Sequence, residues 1–232
     1  MSIAWTDILW KIVYPPRCLL CRALLTSGEG MPLCSRCQCR FSPAGLLCPC
    51  CEQRISAEKC SCKPEPLLNG LYAVSWYQGE WRKMLHQLKY EGGRRLSRPL
   101  GGWLGQLLVK EARWPLDLVV PLPLHRLRER DRGYNQSKLL ARYVAREMGL
   151  PMVPLLKKAR ATPAQTGLSR PQRRANMAGA FSVSSRRFIP ARVLLIDDIY
   201  STGATVKEAA RVLYNSGCMV YAAVIAYNPR LH

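Results

Sequence analysis

The second half of the chain alternates between short apolar runs and amphipathic segments. The apolar runs lie at residues 116–122 (LDLVVPL), 192–196 (RVLLI) and 219–227 (MVYAAVIAY). The segments 136–149 and 205–217 have the apolar spacing of helices that bury one face, and Asn135 and Gly149 are suited to cap the first of them. Continuous apolar strands that alternate with helices predict an α/β fold with a parallel sheet covered on both faces.

The first half is less regular. LYAVSWY at 71–77 predicts a strand, EWRKMLHQLKY at 80–90 a helix that Gly92 and Gly93 end, and residues 95–110 a further helix. MSIAWTDILWKIVYPP predicts a short amphipathic helix that ends at Pro15 and Pro16. We therefore expect a cysteine-rich module at 1–64 and a domain at 65–232, with 65–112 as a hood or edge element beside an α/β core at 113–232.

Ten of the 11 cysteines lie before residue 63. Two CxxC pairs, twelve residues apart, predict a tetrahedral zinc site with four thiolate ligands, Cys18, Cys21, Cys34 and Cys37. A second set can hold another zinc, although it ends in CxC, and Cys39 and Cys50 are alternative ligands; the set is Cys48, Cys51, Cys60 and Cys62. Four cysteines close the coordination sphere, so these sites should be structural. Cys218 should be a small buried apolar residue.

The composition is strongly basic. The net charge is +20 and the isoelectric point about 9.9. Residues 113–190 hold 16 basic and four acidic residues, so most of the excess lies there. Such an excess predicts a phosphate-rich partner, namely nucleic acid, a polyphosphorylated metabolite or an anionic surface; the alternative is a basic protein without a polyanionic ligand.

The cysteine use and the N-terminal sequence bear on the compartment. The first residues lack the basic start and the small-residue cleavage site of a signal peptide, and no apolar run is long enough to span a bilayer. Clustered cysteines in a reducing compartment are more often metal ligands than disulfides. We therefore expect a cytoplasmic protein with no membrane span.

The segment LLIDDIYSTGAT, residues 194–205, joins a buried strand to a helix. Ligands of open α/β sheets gather at the carboxyl ends of strands. A glycine turn at a helix N-terminus directs amide donors at an anion, so Ser201, Thr202, Gly203, Ala204 and Thr205 can cradle a phosphate monoester. Asp197 and Asp198 then suit two vicinal hydroxyls of a ribose, and their charge can stabilise an oxocarbenium-like centre.

IDDIYSTGAT resembles the phosphoribosyl pyrophosphate (PRPP) motif of type I phosphoribosyltransferases. The resemblance implies that Asp197 and Asp198 contact ribose hydroxyls, directly or through Mg²⁺, and that Thr202 to Thr205 bind the 5′-phosphate. Further segments extend it to the ComF family of competence-related proteins, which includes the GntX-type DNA utilization proteins; these segments are YPPRCLLC, LHQLKYEG, VVPLPLHRLRERDRGYNQS and ATPAQTGLSRPQRRANMAGAF. The family joins a zinc module to a phosphoribosyltransferase-like domain, and the CxC of Cys60 and Cys62 departs from its usual CxxC.

Two basic stretches are candidates for pyrophosphate. By resemblance, the loop from Pro121 to Arg126 binds pyrophosphate, and Arg126 and Arg132 suit that role because guanidinium groups grip phosphate bidentately. Residues 157–176 lack an apolar period and are expected to form a mobile loop that closes over the site. Its candidate residues by family spacing are Arg160, Gln165, Arg173 and Asn176.

Two functions of different classes follow. The first is an enzyme that transfers a phosphoribosyl group from PRPP, with Mg²⁺, to an acceptor that the sequence does not reveal. The second is an adaptor in DNA uptake that uses the fold as a phosphate-binding scaffold for single-stranded DNA, with Tyr134 or a tryptophan stacking on bases. The resemblance implies a helicase-like competence partner, for which the zinc module would be the docking surface.

Overall fold

The computed structural model describes residues 15, 17–25, 32–55, 60–62, 67–90, 93–160, 169–184 and 190–229, without the side chain of Arg170. The chain forms two compact units, Met1–Ser42 and Pro43–His232. This division falls earlier than the predicted boundary after residue 64, because residues 43–47 pair with the sheet of the larger unit. The predicted N-terminal helix lies outside the described residues.

The elements follow the predicted alternation in the second half of the chain. The helices are α1 (Ser35–Gln38), α2 (Gly79–Tyr90), α3 (Arg94–Leu107), α4 (Arg126–Arg132), α5 (Gln136–Met148), α6 (Arg170–Met177) and α7 (Ala204–Tyr214), and α3 continues into a π-helical turn, Leu108–Ala112. The strands are β1 (Pro43–Leu47), β2 (Gly70–Trp76), β3 (Leu118–Pro121), β4 (Leu156–Lys158), β5 (Phe181–Val183), β6 (Arg192–Tyr200) and β7 (Met219–Tyr227).

The main sheet has the strand order β1-β2-β7-β6-β3. The pairs β2–β7, β7–β6 and β6–β3 are parallel, and β1 is antiparallel to β2. β4 and β5 form a separate antiparallel pair. The predicted parallel sheet is confirmed, and β2 lies between β1 and β7 within it.

Both faces of the sheet are covered, as predicted. Val193 and Leu195 of β6 belong to the buried cluster that α7 completes with Ala209 and Leu213. The alternate side chains of β6 point to the opposite face, against which α5 packs. α3 approaches α5 closely at Gly101, where a Cβ atom would lie 2.7 Å from Leu140 O.

The helix ends follow local chemistry. Asn135 Oδ1 accepts hydrogen bonds from the amides of Ser137 and Lys138, at 3.0 and 3.3 Å, and so caps α5 as predicted. Gly149 ends that helix with φ of +66°, a conformation that suits glycine.

The prediction of a mobile loop across 157–176 was wrong at its two ends. Residues 157–158 belong to β4, and residues 170–176 belong to α6. The helix begins after Ser169, whose amide donates to the side chain of Gln172 at 2.8 Å, and Pro171 lies in its first turn. Residues 161–168, which include the candidate Gln165, lie outside the described residues.

The strand that carries the aspartates is longer than predicted. β6 continues through Asp197 and Asp198 to Tyr200, paired with β7 over its whole length. Its other neighbour, β3, ends at Pro121, opposite Ile196. The acids therefore lie in the part of β6 that extends beyond the end of β3. Because β6 has a neighbouring strand on only one side there, the edge of the sheet opens into a cleft. No helix in the described part of the chain is long and apolar enough to cross a bilayer.

Candidate functional site: an acidic strand end in a basic cleft

A cleft of about 930 Å³ lies at the carboxyl end of the parallel strands. Asp197 and Asp198 line it together with Ser201 and Thr205 of the phosphate turn, which we define as residues 201–205. The structure thus brings together the two predicted acids and the predicted turn. The remaining turn residues, Thr202, Gly203 and Ala204, are buried behind that surface.

Asp197 is hydrogen-bonded to Ser137, near the start of α5. Its Oδ1 accepts hydrogen bonds from Ser137 Oγ at 2.7 Å and from the amide of Asp198 at 2.9 Å. Burial, and then the neighbouring charge of Asp198, raise the pKa of Asp197 to about 7. This carboxyl group can therefore exchange a proton near neutral pH.

Asp198 is held by a lysine that the sequence reasoning missed. Lys89 Nζ, from the end of α2, lies 3.0 Å from Asp198 Oδ2. The side chains of both residues are largely buried, so this ion pair is shielded from bulk water. Burial would raise the pKa of Asp198, but the charge and hydrogen bond of Lys89, together with Asp197 and Arg132, outweigh it and lower that pKa. The two adjacent acids are therefore unequal, one strongly ionised and the other poised to titrate.

The phosphate turn has the geometry of an anion cradle. Gly203 has φ of +70°, and α7 begins at the next residue. A Cβ atom at Gly203 would lie 2.6 Å from Tyr200 Cζ, so glycine is needed both for the backbone conformation and for space. The Lys207 amide donates to Gly203 O at 2.7 Å and so forms the first helical bond behind the turn.

The cleft is basic apart from the acids. Among the described residues, three aspartates line it against six lysines and arginines: Arg82, Lys89, Arg128, Arg132, Lys158 and Arg173. Arg173 Nη1 donates to Ser201 Oγ at 3.4 Å, which links α6 to the phosphate turn. Burial, and then the charge of Arg128, lower the pKa of Lys158 to about 8. This charge set suits a ligand with several phosphate groups.

The predicted arginines divide into two groups. Arg132 and Arg173 line the cleft, and Arg132 pairs with Gln136 and lies 5.1 Å over the ring of Tyr90. Arg126 is exposed at the start of α4 and is not among the lining residues. Arg160 is also outside the lining, and it donates to Asn176 O and Ala178 O, both at 3.0 Å, which ties β4 to the end of α6.

Sequence reasoning missed the contribution of α2. Arg82, Lys89 and Tyr90 face the cleft, beside the apolar face of α2 that carries Leu85 and Leu88. The sequence contained one signal for this contribution, namely a basic residue, Lys89, at the border of that apolar face. The predicted stacking residue Tyr134 is half-buried and donates to Leu88 O at 2.7 Å, whereas Tyr90 is 64% exposed.

The cysteines form two clusters of four. Cys18, Cys21, Cys34 and Cys37 form the first, and Cys48, Cys51, Cys60 and Cys62 form the second; in each, the sulfur atoms lie within 4.8 Å of one another. The Cys21–Cys34 and Cys51–Cys60 sulfur pairs are 3.5 and 3.7 Å apart. Tetrahedral zinc with Zn–S bonds of about 2.3 Å requires a separation of about 3.8 Å, so both clusters fit a structural metal. Cys39 and Cys50 belong to neither cluster.

The first pair of each cluster forms the same hairpin, which we call a knuckle. In the first knuckle the Arg22 amide donates to Cys18 O at 3.0 Å, and in the second the Glu52 amide donates to Cys48 O at 2.7 Å. Both residues have positive φ, +65° and +61°. Amide donors also act on the sulfur atoms: burial raises the pKa of Cys18, but amides such as that of Cys21 outweigh it and bring it to about 6.

The fold and the cleft define an α/β protein with two adjacent acids beside a glycine-bearing helix N-terminus, and with two clusters of four cysteines that could hold a metal ion. The sequence is 31% identical over 212 residues to competence protein F of Haemophilus influenzae, covering 87% of this chain and 92% of that protein. It is 30% identical over 220 residues to the DNA utilization protein YhgH of Escherichia coli K12, covering 89% and 94%. Competence protein ComFC of Bacillus subtilis is 26% identical over 218 residues, covering 91% and 85%. The chain belongs to the ComF family.

Other comparisons are less close. No family model matches the sequence. Among solved structures, adenine phosphoribosyltransferase from Saccharomyces cerevisiae matches with a TM-score of 0.39 and 17% identity, covering 63% of this chain and 75% of that one. Glutamine PRPP amidotransferase from B. subtilis matches with a TM-score of 0.38 and 21% identity, covering 56% and 26%. These are partial likenesses, and the function is argued from the cleft.

Proposed function

We propose that this protein binds PRPP with Mg²⁺ in the cleft and acts in DNA uptake on the cytoplasmic side. The observation that carries the proposal is the meeting of two adjacent acids and a glycine-bearing helix N-terminus in one basic cleft. PRPP has a 5′-phosphate, two vicinal hydroxyls and a diphosphate, so each part of the ligand has a chemically matched part of the site. The competence and DNA utilization names of the relatives support the biological role.

Each side chain of the cleft has a chemical role in this proposal. The phosphate turn holds the 5′-phosphate, and Asp197 and Asp198 accept from the ribose hydroxyls. Arg132, Lys158 and Arg173 neutralise the diphosphate. Asp197 and Asp198 would hold Mg²⁺, which would supply further positive charge at the diphosphate. When the bond from ribose C1 to the diphosphate oxygen breaks, the electron pair leaves with the diphosphate and the acids stabilise the cationic sugar. The arrangement therefore suits phosphoribosyl transfer to an acceptor.

Calorimetric titration of the full chain with PRPP and Mg²⁺ tests the proposal. Wild type should bind, and Asp197→Asn/Asp198→Asn should lose the binding. Asp117→Asn is the matched control, because Asp117 pairs with Arg192 at 2.7 Å and does not line the cleft. Wild-type protein without heat of binding would overturn the proposal, and release of diphosphate on addition of a nucleobase would extend it to catalysis.

Single-stranded DNA is a second candidate ligand, favoured by one observation. Tyr90 is 64% exposed on the cleft, with the His86 ring at 4.8 Å and the Arg132 guanidinium at 5.1 Å. An exposed aromatic ring beside a guanidinium group suits a stacked base next to a phosphate. Binding of an oligothymidine should weaken steeply with salt and fall on Tyr90→Ala, but not on Tyr214→Ala, a tyrosine that is 48% exposed elsewhere.

The cysteine clusters complete the proposal. Zinc is the metal that four thiolates at these separations suit best, and both sites would be structural. A helicase-like competence partner docked on the first cluster accounts for a metal module in a DNA-uptake protein. Mass spectrometry of the native protein should find two zinc ions, and Cys37→Ser should leave one and weaken capture of the partner.

A further inference from the structure

The second knuckle lies directly behind the phosphate turn. Glu52, the residue after Cys51, is only 4% exposed and projects from the knuckle into the core of the larger unit. Its Oε1 accepts from Tyr200 Oη at 3.1 Å, and its Oε2 accepts from Tyr227 Oη at 3.0 Å. Tyr200 and Tyr227 end the paired strands β6 and β7, so one carboxylate joins a metal-ligating turn to both strand ends at the cleft.

Tyr200 carries this connection into the turn itself. Its ring occupies the space that a Cβ atom at Gly203 would need, and its hydroxyl lies against the same point. Lys207, one helical turn further on, places Nζ 3.9 Å from Glu52 Oε1. Glu52 thus supports the turn from behind at two places, through the tyrosine under Gly203 and through the first turn of α7.

The position of Glu52 depends on the cysteine cluster. Its φ of +61° is one that a residue with a Cβ adopts rarely and at a cost in free energy. The knuckle holds that conformation, since the Glu52 amide donates to Cys48 O at 2.7 Å and Gln53 O accepts from the Cys48 amide at 2.8 Å. A metal bound by Cys48, Cys51, Cys60 and Cys62 would fix the same turn from its other side.

We propose that Glu52 is a positioning residue through which metal binding at the second cysteine cluster orders the phosphate turn. Metal at Cys48, Cys51, Cys60 and Cys62 locks the knuckle, the knuckle aims Glu52, and Glu52 fixes Tyr200 against Gly203. Loss of that metal then loosens residues 200–207 and weakens the grip on a 5′-phosphate. The effect on ligand affinity rests on the proposed function, whereas the effect on order does not.

Amide hydrogen exchange of the zinc-loaded full chain tests the ordering without any ligand. Cys51→Ser should accelerate exchange in peptides that cover 200–207 by about tenfold or more. Cys50→Ser is the matched control, because it removes an exposed thiol from the same knuckle but not from the cluster, and it should leave that exchange unchanged.

Glu52→Gln tests the role of the Glu52 side chain while the metal stays bound. The variant should keep the zinc content of wild type, measured by native mass spectrometry, and yet show faster exchange at 200–207. In the double variant, Cys51→Ser should add little to Glu52→Gln, because both changes interrupt the same path. Unchanged exchange in Glu52→Gln with its metal in place, or in Cys51→Ser without it, would overturn the inference.

PRPP titration of the same proteins separates this inference from the proposed function. If both variants bind PRPP about tenfold more weakly than wild type, both proposals are supported. If wild type does not bind PRPP but the exchange pattern is as expected, the proposed ligand is wrong and the metal connection stands. If wild type binds PRPP and neither affinity nor exchange responds to the variants, the cleft is assigned correctly and the metal connection is wrong.

Discussion

The two knuckles have the same backbone conformation, but they differ in the side chain of the residue that follows the second cysteine. Each has a cysteine pair closed by the same amide hydrogen bond, followed by a residue with positive φ. In the first knuckle that residue is Arg22, which is exposed; in the second it is Glu52, which is buried against two tyrosines. The comparison teaches that the same cysteine turn can present an exposed side chain in one place, and in another a buried carboxylate that contacts the ends of two strands at the cleft.

The largest expected difference between the two knuckles is in the effect on stability of exchanging these two residues. Glu52→Arg buries a cation beside Lys207 and leaves two tyrosine hydroxyls without their acceptor, so it should destabilise the protein by about 3–5 kcal/mol. Arg22→Glu alters an exposed position and should change stability by less than about 0.5 kcal/mol. Urea unfolding followed by circular dichroism measures both. Equal effects would show that the second knuckle does not depend on its glutamate.

A smaller effect is expected where the support meets the phosphate turn. Gly203→Ala combines a strained positive φ with a clash against Tyr200, and it should cost about 2 kcal/mol and weaken PRPP binding. Gly149→Ala has the same backbone strain, but nothing lies within 4 Å of the added atom. This control should therefore cost about 1 kcal/mol and leave affinity unchanged. Calorimetry with PRPP distinguishes the two.

The third test compares buried acids. Glu52 has two hydroxyl donors, whereas Asp197 has its pKa raised to about 7 by burial and by Asp198. Because the raised pKa means that the folded protein holds a proton more tightly than the unfolded chain, Asp197 lowers stability as pH rises from about 4 to 7. Asp197→Asn should therefore stabilise the protein by about 1–2 kcal/mol at pH 8, and by less at pH 5.5.

Unfolding at the two pH values, together with PRPP titration, measures this effect and its functional consequence. Asp197→Asn should be the more stable protein and the weaker binder at pH 8. Asp117→Asn weakens a half-buried ion pair with Arg192, so it should lower stability at both pH values and leave PRPP binding unchanged. A destabilised Asp197→Asn at pH 8 would mean that the carboxylate is satisfied in the folded protein.

The smallest effect is expected at the second tyrosine. Tyr227→Phe removes one of the two hydroxyl donors to Glu52 and should destabilise by about 1 kcal/mol, with faster exchange at 200–207. Tyr214→Phe removes a hydroxyl from a tyrosine that is 48% exposed, and it should have no effect. Thermal unfolding and hydrogen exchange of the pair give the comparison. Identical behaviour would remove Tyr227 from the support.

Much of this architecture could be predicted from the sequence. The apolar runs located β3, β6 and β7 because buried parallel strands need little polar sequence, and the cap at Asn135 located the start of α5. Cysteine spacing grouped the same eight residues that the structure brings together. The acids and the phosphate turn were predictable because their chemistry is local to one strand and one turn.

The remainder depends on contacts between distant segments. Lys89 and Asp198 are over 100 residues apart, and nothing in the pattern around either predicts their ion pair. The sequence around Glu52 predicts a solvated loop, because charged residues are seldom buried without partners. Its partners, Tyr200 and Tyr227, lie in other elements, so the local sequence does not reveal them. Short elements such as β4 and α6 were missed because three to eight residues give too little periodicity.

The ion pair between Lys89 and Asp198 has a consequence for the order of events in the cleft. One of the two adjacent acids, Asp198, already has a cation beside it, the Lys89 ammonium group on α2. Under the proposed function, capture of PRPP would therefore be a substitution, in which a hydroxyl or a divalent ion takes the place of an ammonium group. Lys89 lines the same cleft as Arg82 and Arg132, so under the proposed function the displaced ammonium group would become available to the phosphate groups of PRPP.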